Sequence, residues 1–409
     1  MLNAKQEREL AYVVIIEGLE PIPGYDRVEH AIVGGWRVIV RKGQFNVGDP
    51  AIYFEIDSRV PSDRECFAFL EPRHYKVKTL KMCKTISQGL LMHPSDFGWN
   101  SDASLTMSGG IIDNEGNIHY VTDESRFLTK QLGVIYADDE DNQRKAPTVD
   151  KYKRMAARYP SIFSRKFVRK LMRYQWGKNI MFFFFGNKKK KNNWPAWVQK
   201  TDEERIQNMP WILKDEGYWV ATEKIDGTST TFTMRKGFFG KKEFYVCSRN
   251  VNFTSPNQNC FYDTNVYLEM AQKYNMKDVL ISLMKKYPKE KWITIQGETY
   301  GNDVQKRNYS IKEHNLAVFN LIFSSRGRVG TTEMVDILQE YNIPCVPVLE
   351  EHMKINQFEN VDAILTYAEG NSQIDSLARE GIVFRSIDGA KSFKAVSNSF
   401  LLKYHGYGN

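Results

Sequence analysis

Between Lys151 and Asn193 the chain carries 14 lysines and arginines and not one aspartate or glutamate. The basic character is thus a local feature, and the stretch reads as an insertion between two folded parts. The formal net charge is +8, so everything outside this stretch sums to −6. Any contact with a polyanion is expected to concentrate on the basic segment.

The chain length of 409 residues favours two domains over one. Ahead of the basic segment, residues 1–98 read as short strands, at Ala11–Leu19, Glu29–Val33, Trp36–Val40, Ala51–Ile56, Tyr75–Lys84 and Ile86–Met92. Turn signals separate them, among them Gly34-Gly35, which suits a two-residue hairpin. That pattern predicts an OB-like β-barrel, with another small barrel as the alternative. Residues 99–150 read as a polar elaboration or linker with a hairpin around Asp113–Gly116. Within the basic insertion, 151–193, Phe163, Phe167 and Leu171 recur every fourth residue and predict an amphipathic helix over Ile162–Lys178. An exposed loop through Lys188–Lys191 follows. The insertion suits a duplex-backbone contact, a membrane-surface helix encouraged by Phe182–Phe185, or a poorly ordered excursion.

From 194 to 409 strands and helices alternate, which predicts an α+β domain. Strands are expected at Trp219–Thr222, Thr230–Met234, Phe244–Ser248, Trp292–Glu298, Ala317–Phe323 and Gly381–Arg385. Helices are expected at Thr201–Asn208, Thr264–Tyr274, Val279–Lys286 and Thr332–Tyr341.

The five cysteines form no CxxC pair and suit reduced thiols in a cytoplasmic setting, with a nuclear or viral one left open. The apolar runs Val13–Ile16 and Ile180–Phe185 are too short for a signal core or for a span of about 20 residues. No transmembrane segment and no protein partner are therefore expected.

The chemistry is carried by Glu223-Lys224-Ile225-Asp226-Gly227, which sits between two strands. A lysine at a strand end beside a carboxylate can act as a covalent nucleophile. Three fixed positions would match by chance in roughly one chain in 20 of this length, so KxDG alone is more readily a surface lysine in an Asp-Gly turn. Further fragments follow in order: Ser248-Arg249-Asn250, Gln296-Gly297-Glu298, Val318-Phe319-Asn320, Glu380-Gly381-Ile382-Val383-Phe384-Arg385 and Ser392-Phe393-Lys394. Each alone reads as solvated acid, core aromatic or surface lysine.

Together they resemble the ordered signature of the covalent nucleotidyltransferases, which comprise RNA ligases, DNA ligases and mRNA capping enzymes. The similarity is closer to ATP-dependent RNA ligases of the Deinococcus and Naegleria type, which carry an N-terminal OB domain. Lys200–Gln207, Gln305–Tyr309, Val47–Asp57 and Ile86–Leu90 also resemble that subfamily. The resemblance covers about 1–95 and 194–409 and leaves the basic insertion unexplained. It implies ATP and Mg²⁺ or Mn²⁺ as cofactors, and a nicked RNA or RNA/DNA duplex as substrate. It implies catalytic roles for Lys224, Asp226, Glu298, Glu380 and Lys394, with Lys224 taking AMP and Asp226 serving the strand-joining steps. Glu298 and Glu380 would serve the metal, Glu298 by contacting the ribose or metal-bound water and Glu380 by holding metal-bound water. Glu223, Arg249, Phe319 and Lys391 would contact the nucleotide, Phe319 by stacking on adenine and Arg249 by orienting nucleotide or 3′-end. An attacking lysine must shed a proton held with a pKa of about 10.4, and Mg²⁺ with Lys394 is expected to depress that value. The second lysine that many ligases place near the last motif is absent at that spacing, leaving Lys391 or Lys403 as substitutes.

Two other readings compete. A guanylyltransferase would use the same lysine on GTP, but capping enzymes carry an OB domain after the last motif, and only 15 residues follow Lys394. A polynucleotide-binding OB protein with an inactive second domain would have no reason to keep Lys224, Glu298, Glu380 and Lys394.

Overall fold

A computed structural model describes residues 1–101, 109–137, 160–185, 194–237, 240–253 and 265–405, without the side chains of 160–161 and 182–185. The loop expected at Lys188–Lys191 and the stretch 138–150 lie outside the described residues. Among the described residues no helix is long and apolar enough to cross a membrane.

The N-terminal strands pair antiparallel, six of them in two three-stranded sheets that enclose one core. One joins Gly18–Ile22, Tyr25–Val33 and Trp36–Arg41; the other joins Ala11–Ile15, Pro50–Phe54 and Leu90–Met92. Val33 pairs with Trp36 across Gly34-Gly35, the two-residue hairpin that the glycines predict. Strand alternation turns Ala31, Val33, Trp36 and Val38 from one sheet and Tyr12, Ala51 and Tyr53 from the other into one core. The expected run Ala11–Leu19 is two strands, not one, because the chain turns between Ile15 and Gly18.

The stretch beyond Phe97 is no linker. Trp99, Ile111, Leu128, Leu132 and Val134 pack with Ile52, Phe54 and Phe67 in a second N-terminal core. Its polar composition conceals these few apolar anchors. The expected hairpin is present as Gly110–Ile112 paired with Ile118–Tyr120.

In the basic insertion the single helix expected over Ile162–Lys178 is broken into Pro160–Phe163, Lys166–Leu171 and Gln175–Phe185. The breaks let Phe163, Val168 and Met181 meet in a small core of their own, which one straight helix could not form.

The C-terminal domain is built on two antiparallel sheets. A six-stranded sheet contains Thr228–Lys236, Lys242–Cys247, Trp292–Gly301 and His314–Phe323, and a four-stranded sheet contains Tyr218–Lys224, Val348–Lys354, Gly381–Ser386 and Ser392–Val396. Helices Val266–Lys273, Met276–Lys286 and Thr331–Gln339 bury their apolar faces on the larger sheet. Helix Val361–Ala368 covers the smaller one.

Residues 201–208 are not the expected helix. They run extended along the N-terminal domain, with only Ile206–Asn208 forming a 3-10 turn. Partners on the N-terminal side claim their polar side chains. Arg8 binds Asp202 at 3.0 Å, and Arg205 binds Asp57 at 3.0 Å. Asn208 Oδ1 accepts from the Trp36 indole at 2.6 Å, and Gly35 N donates to the Gln207 carbonyl at 2.7 Å. These pairings outweigh local propensity, since an interior helix would leave the buried groups unpaired.

Candidate active site

Lys224 is the last residue of its strand, and Ile225–Gly227 carry the chain from the smaller sheet into the larger one. The KxDG turn therefore stands in the cleft between the sheets. Gly227 is required by close approach: a Cβ there would lie 2.3 Å from the Thr299 carbonyl and 2.9 Å from the Glu298 side chain. The two sheets thus meet across a residue that can only be glycine.

Strand pairing gathers the acids. Lys224 pairs with Gly381, which puts Glu380 beside it, and Lys224 Nζ meets Glu380 Oε1 at 2.7 Å. Glu298 lies on the larger sheet opposite Ser229, and its charge acts on Lys224 across the cleft. One ammonium thus sits among three carboxyls, and burial does not allow all three to ionise. Burial first, and then the charge of Glu380, hold the Asp226 carboxyl well above the usual carboxylate range. Burial likewise pushes Glu298 up to about 8 against the pull of Lys224. Burial also disfavours the charge on Lys224, but Glu380 and then Glu298 outweigh it, so its pKa is raised. Without a cation beside them, the acids hold Lys224 protonated.

Glu380 Oε2 and Asp226 Oδ2 are buried without a hydrogen-bond partner, an arrangement that fits a positively charged guest. Among the described residues no three His, Cys, Asp or Glu side chains form a direct metal cage. Glu298 and Glu380 are the carboxyls nearest Lys224 that could hold a divalent cation, and Mg²⁺ commonly keeps several of its waters.

Lys394 lies across from Val383 and binds Asp202 at 2.8 Å. Arg249 reaches the same carboxylate at 3.1 Å and Arg8 at 3.0 Å. Burial first, then Arg8, Arg205 and Lys224, push Lys394 down to about 8 against the attraction of Asp202. A cavity of about 260 Å³ opens beside this group, lined in part by Arg8, Lys130, Lys200 and Arg249.

Lys391 is not brought here. It lies three positions from Lys394, on the opposite face of the strand, and binds Asp215 at the surface at 2.5 Å. Phe319 is partly buried against the cluster of Ile225, Tyr309 and Val346, beneath the KxDG turn. Glu223 faces away from Lys224 and accepts from the Gln373 amide at 2.8 Å.

Three residues given no role by sequence hold this group in place. Tyr309 Oη accepts from the Asp226 amide at 2.6 Å, and Gln305 donates to the Gly227 carbonyl at 3.0 Å. Arg307 stacks 4.1 Å from the Tyr309 ring and binds Asp375 at 2.6 Å, five residues ahead of Glu380. Asp202 is a further residue of this kind. Both stretches resemble the ligase subfamily, which was the signal available for them.

Residues 10–94 match the family model of an OB-fold domain, and residues 217–405 match that of RNA ligase. No curated protein matches the chain by sequence. Among solved structures, the RNA ligase of Naegleria gruberi with PPi has a TM-score of 0.70 at 22% identity, covering 98% of this chain and 99% of that one. A point mutant of that ligase with ATP and Mn gives 0.69 at 22% identity, covering 97% and 100%. Another mutant, with AMP and Mn, gives 0.69 at 22% identity, covering 98% and 100%. At that identity the likeness is one of fold, whereas the two family matches speak to the sequence itself. The chain thus joins a stretch that matches an OB-fold domain to one that matches RNA ligase, in the fold of the Naegleria enzyme.

Proposed function

We propose that the chain is an ATP-dependent RNA ligase that seals 3′-OH/5′-phosphate nicks in a duplex through AMP bound covalently to Lys224. The observation that carries this reading is the placement of Lys224 Nζ 2.7 Å from Glu380, at the junction of two sheets whose facing ends supply Glu298, Asp226 and Lys394. ATP as donor is supported by the fold shared with a ligase solved with ATP and Mn.

In the first step Lys224 Nζ attacks the α-phosphorus of ATP and pyrophosphate leaves. Lys224 must lose a proton beforehand, and a divalent cation held through water by Glu298 and Glu380 would favour that loss by neutralising the acids that keep it charged. Phe319 offers a ring for the adenine, and Lys394 and Arg249 offer positive charge to the phosphates. These cations are engaged with Asp202 in the ligand-free protein, so incoming phosphates compete with that carboxylate. In the second step an oxygen of the 5′-phosphate attacks the same phosphorus, and the P–N bond to Lys224 breaks. In the third, the 3′-oxygen attacks the 5′-phosphorus, giving up its proton, and AMP departs; the resemblance assigns Asp226 to these transfers.

A sealing assay on nicked duplexes, with RNA or DNA on each side of the nick and in the template, tests the substrate. Sealing of a nick between RNA ends, and a lysyl-nucleotide formed in preference from ATP over GTP or NAD, is the expected result. Preferential labelling by GTP would move the assignment to guanylyl transfer.

A further inference from the structure

The helical segment 160–185 stands apart from the chemistry. Phe163, Val168 and Met181 turn inward, packed by Ile162, Leu171 and Met172. Gly177 lets the helix Gln175–Phe185 start tight against the end of Lys166–Leu171, since a Cβ there would lie 2.0 Å from the Leu171 carbonyl. The aliphatic side chains are thus largely spent on this small core.

What remains outside is different in kind. Phe167 is 75% exposed, Trp176 58% and Tyr174 53%. The Tyr174 and Trp176 rings lie 6.2 Å apart and nearly parallel at 24°. Exposed Arg165, Lys166, Arg169, Lys170 and Arg173 interleave with them, and residues 160–185 contain no acid. Large rings left in water, separated by cations, do not form a continuous apolar patch of the kind that binds an apolar surface. They do match a single strand of nucleic acid, whose bases stack on aromatic faces while its phosphates meet Lys and Arg.

We propose that this segment is a binding module for unpaired RNA, with bases stacking on Phe167, Tyr174 and Trp176 and phosphates held by the interleaved cations. That the strand is RNA rests on the ligase reading; that it is a polyanion with stackable faces rests on the segment alone. A membrane-surface helix would need one continuous apolar face outward, whereas here exposed Arg169, Lys170 and Arg173 come between Phe167 and the Tyr174–Trp176 pair. The module would recruit substrates with single-stranded flanks and take no part in adenylation.

The test compares full-length protein with the variant Phe167→Ala/Tyr174→Ala/Trp176→Ala and with Arg169→Gln/Lys170→Gln. Each is titrated across a salt series against two labelled nicked RNA duplexes, one blunt and one with a single-stranded extension. The wild type is expected to favour the extended substrate by about tenfold or more for each base stacked. The aromatic variant should lose that preference while keeping its salt slope. The charge variant should flatten the slope by about 0.7 per lost phosphate contact. Equal binding of the extended substrate by wild type and aromatic variant would overturn the proposal. So would an aromatic variant that loses binding to phosphatidylserine/phosphatidylcholine vesicles and keeps its RNA affinity. Circular dichroism checks that the variants fold. Labelling with ATP, run in parallel, separates this question from the ligase reading: a wild type that forms no lysyl-nucleotide defeats that reading and leaves the RNA preference to be read independently.

Discussion

Tyr309 contributes no formal charge to the cleft, yet the amide of Asp226 depends on its hydroxyl. Tyr309→Phe removes that acceptor and leaves a buried N–H unpaired, a loss of about 1–3 kcal/mol. The expected outcome is a folded but less stable protein whose sealing slows on the order of tenfold, measured by single-turnover sealing alongside urea unfolding. Sealing kinetics unchanged at reduced stability would make Tyr309 packing alone. Glu298→Ala and Glu380→Ala address the acids directly. Each should cripple metal-dependent steps in a way that more ATP does not rescue, because the deficit lies in holding the cation and not the nucleotide. Near-normal sealing by either variant would show those carboxylates to be structural. At this scale the sequence was most informative where one motif holds the chemistry. Of the residues from four ordered motifs, the fold brings Lys224 and Glu380 into contact and sets Glu298 across the cleft from them. Tyr309 and Arg307 were not legible in role, because their partners, Asp226 and Asp375, are tens of residues away and nothing local marks the pairing.

The strap 201–208 is the element where sequence reasoning failed. Its run of acids and an arginine has fair helix propensity, and only the presence of Arg8, Asp57 and Trp36 across the interface makes the extended form preferable. The strap also governs the cation cluster, because Asp202 supplies the attraction that keeps Lys394 from falling below about 8. A lysine with a depressed pKa loses its charge as pH rises through that value. The apparent second-order rate constant of lysyl-nucleotide formation reports the free enzyme, so it should show an alkaline limb near pH 8 where Lys394 becomes neutral. Asp202→Asn removes the attraction and should move that limb to lower pH. An unmoved limb would mean that the strap is scaffold only. Elsewhere the elements were legible where apolar periodicity was strong, as in Met276–Lys286. The strand Val348–Lys354 was missed because Glu350, Glu351 and His352 are all exposed in succession, which hides the alternation a half-buried strand shows.

Across the whole molecule the two domains share one buried network. Glu55, fully buried, binds Arg8 at 2.5 Å and accepts from Asn208 at 3.3 Å, with Arg205 close by. Burial alone would raise its pKa, but the N-terminal ammonium, Arg8 and Arg205 prevail and lower it from 4.5 to about 2. A carboxyl whose folded pKa is depressed stabilises the fold in full above its unfolded pKa. That contribution is lost as pH falls from 4.5 to about 2. Glu55→Gln should therefore cost on the order of 3 kcal/mol at neutral pH, with the gap to wild type closing in acid, as measured by urea unfolding at both pH values. A constant gap would place the stabilisation in packing and not in charge. The division into a β-rich and an α+β part was legible because the acid-free insertion separates them. The docking was not, since it rests on pairings such as Trp36 with Asn208 that span the length of the N-terminal domain. The docking matters because it carries Arg8 to the same carboxylate that binds Lys394.

The central claim is that Lys224 is the nucleophile, and the most direct measurement is to incubate the protein with labelled ATP and a divalent cation, denature it, and map the modified peptide by mass spectrometry. The account predicts AMP on the peptide bearing Lys224, and no label on a Lys224→Ala variant that retains wild-type circular dichroism. Label on any other residue, or label retained by that folded variant, would contradict it.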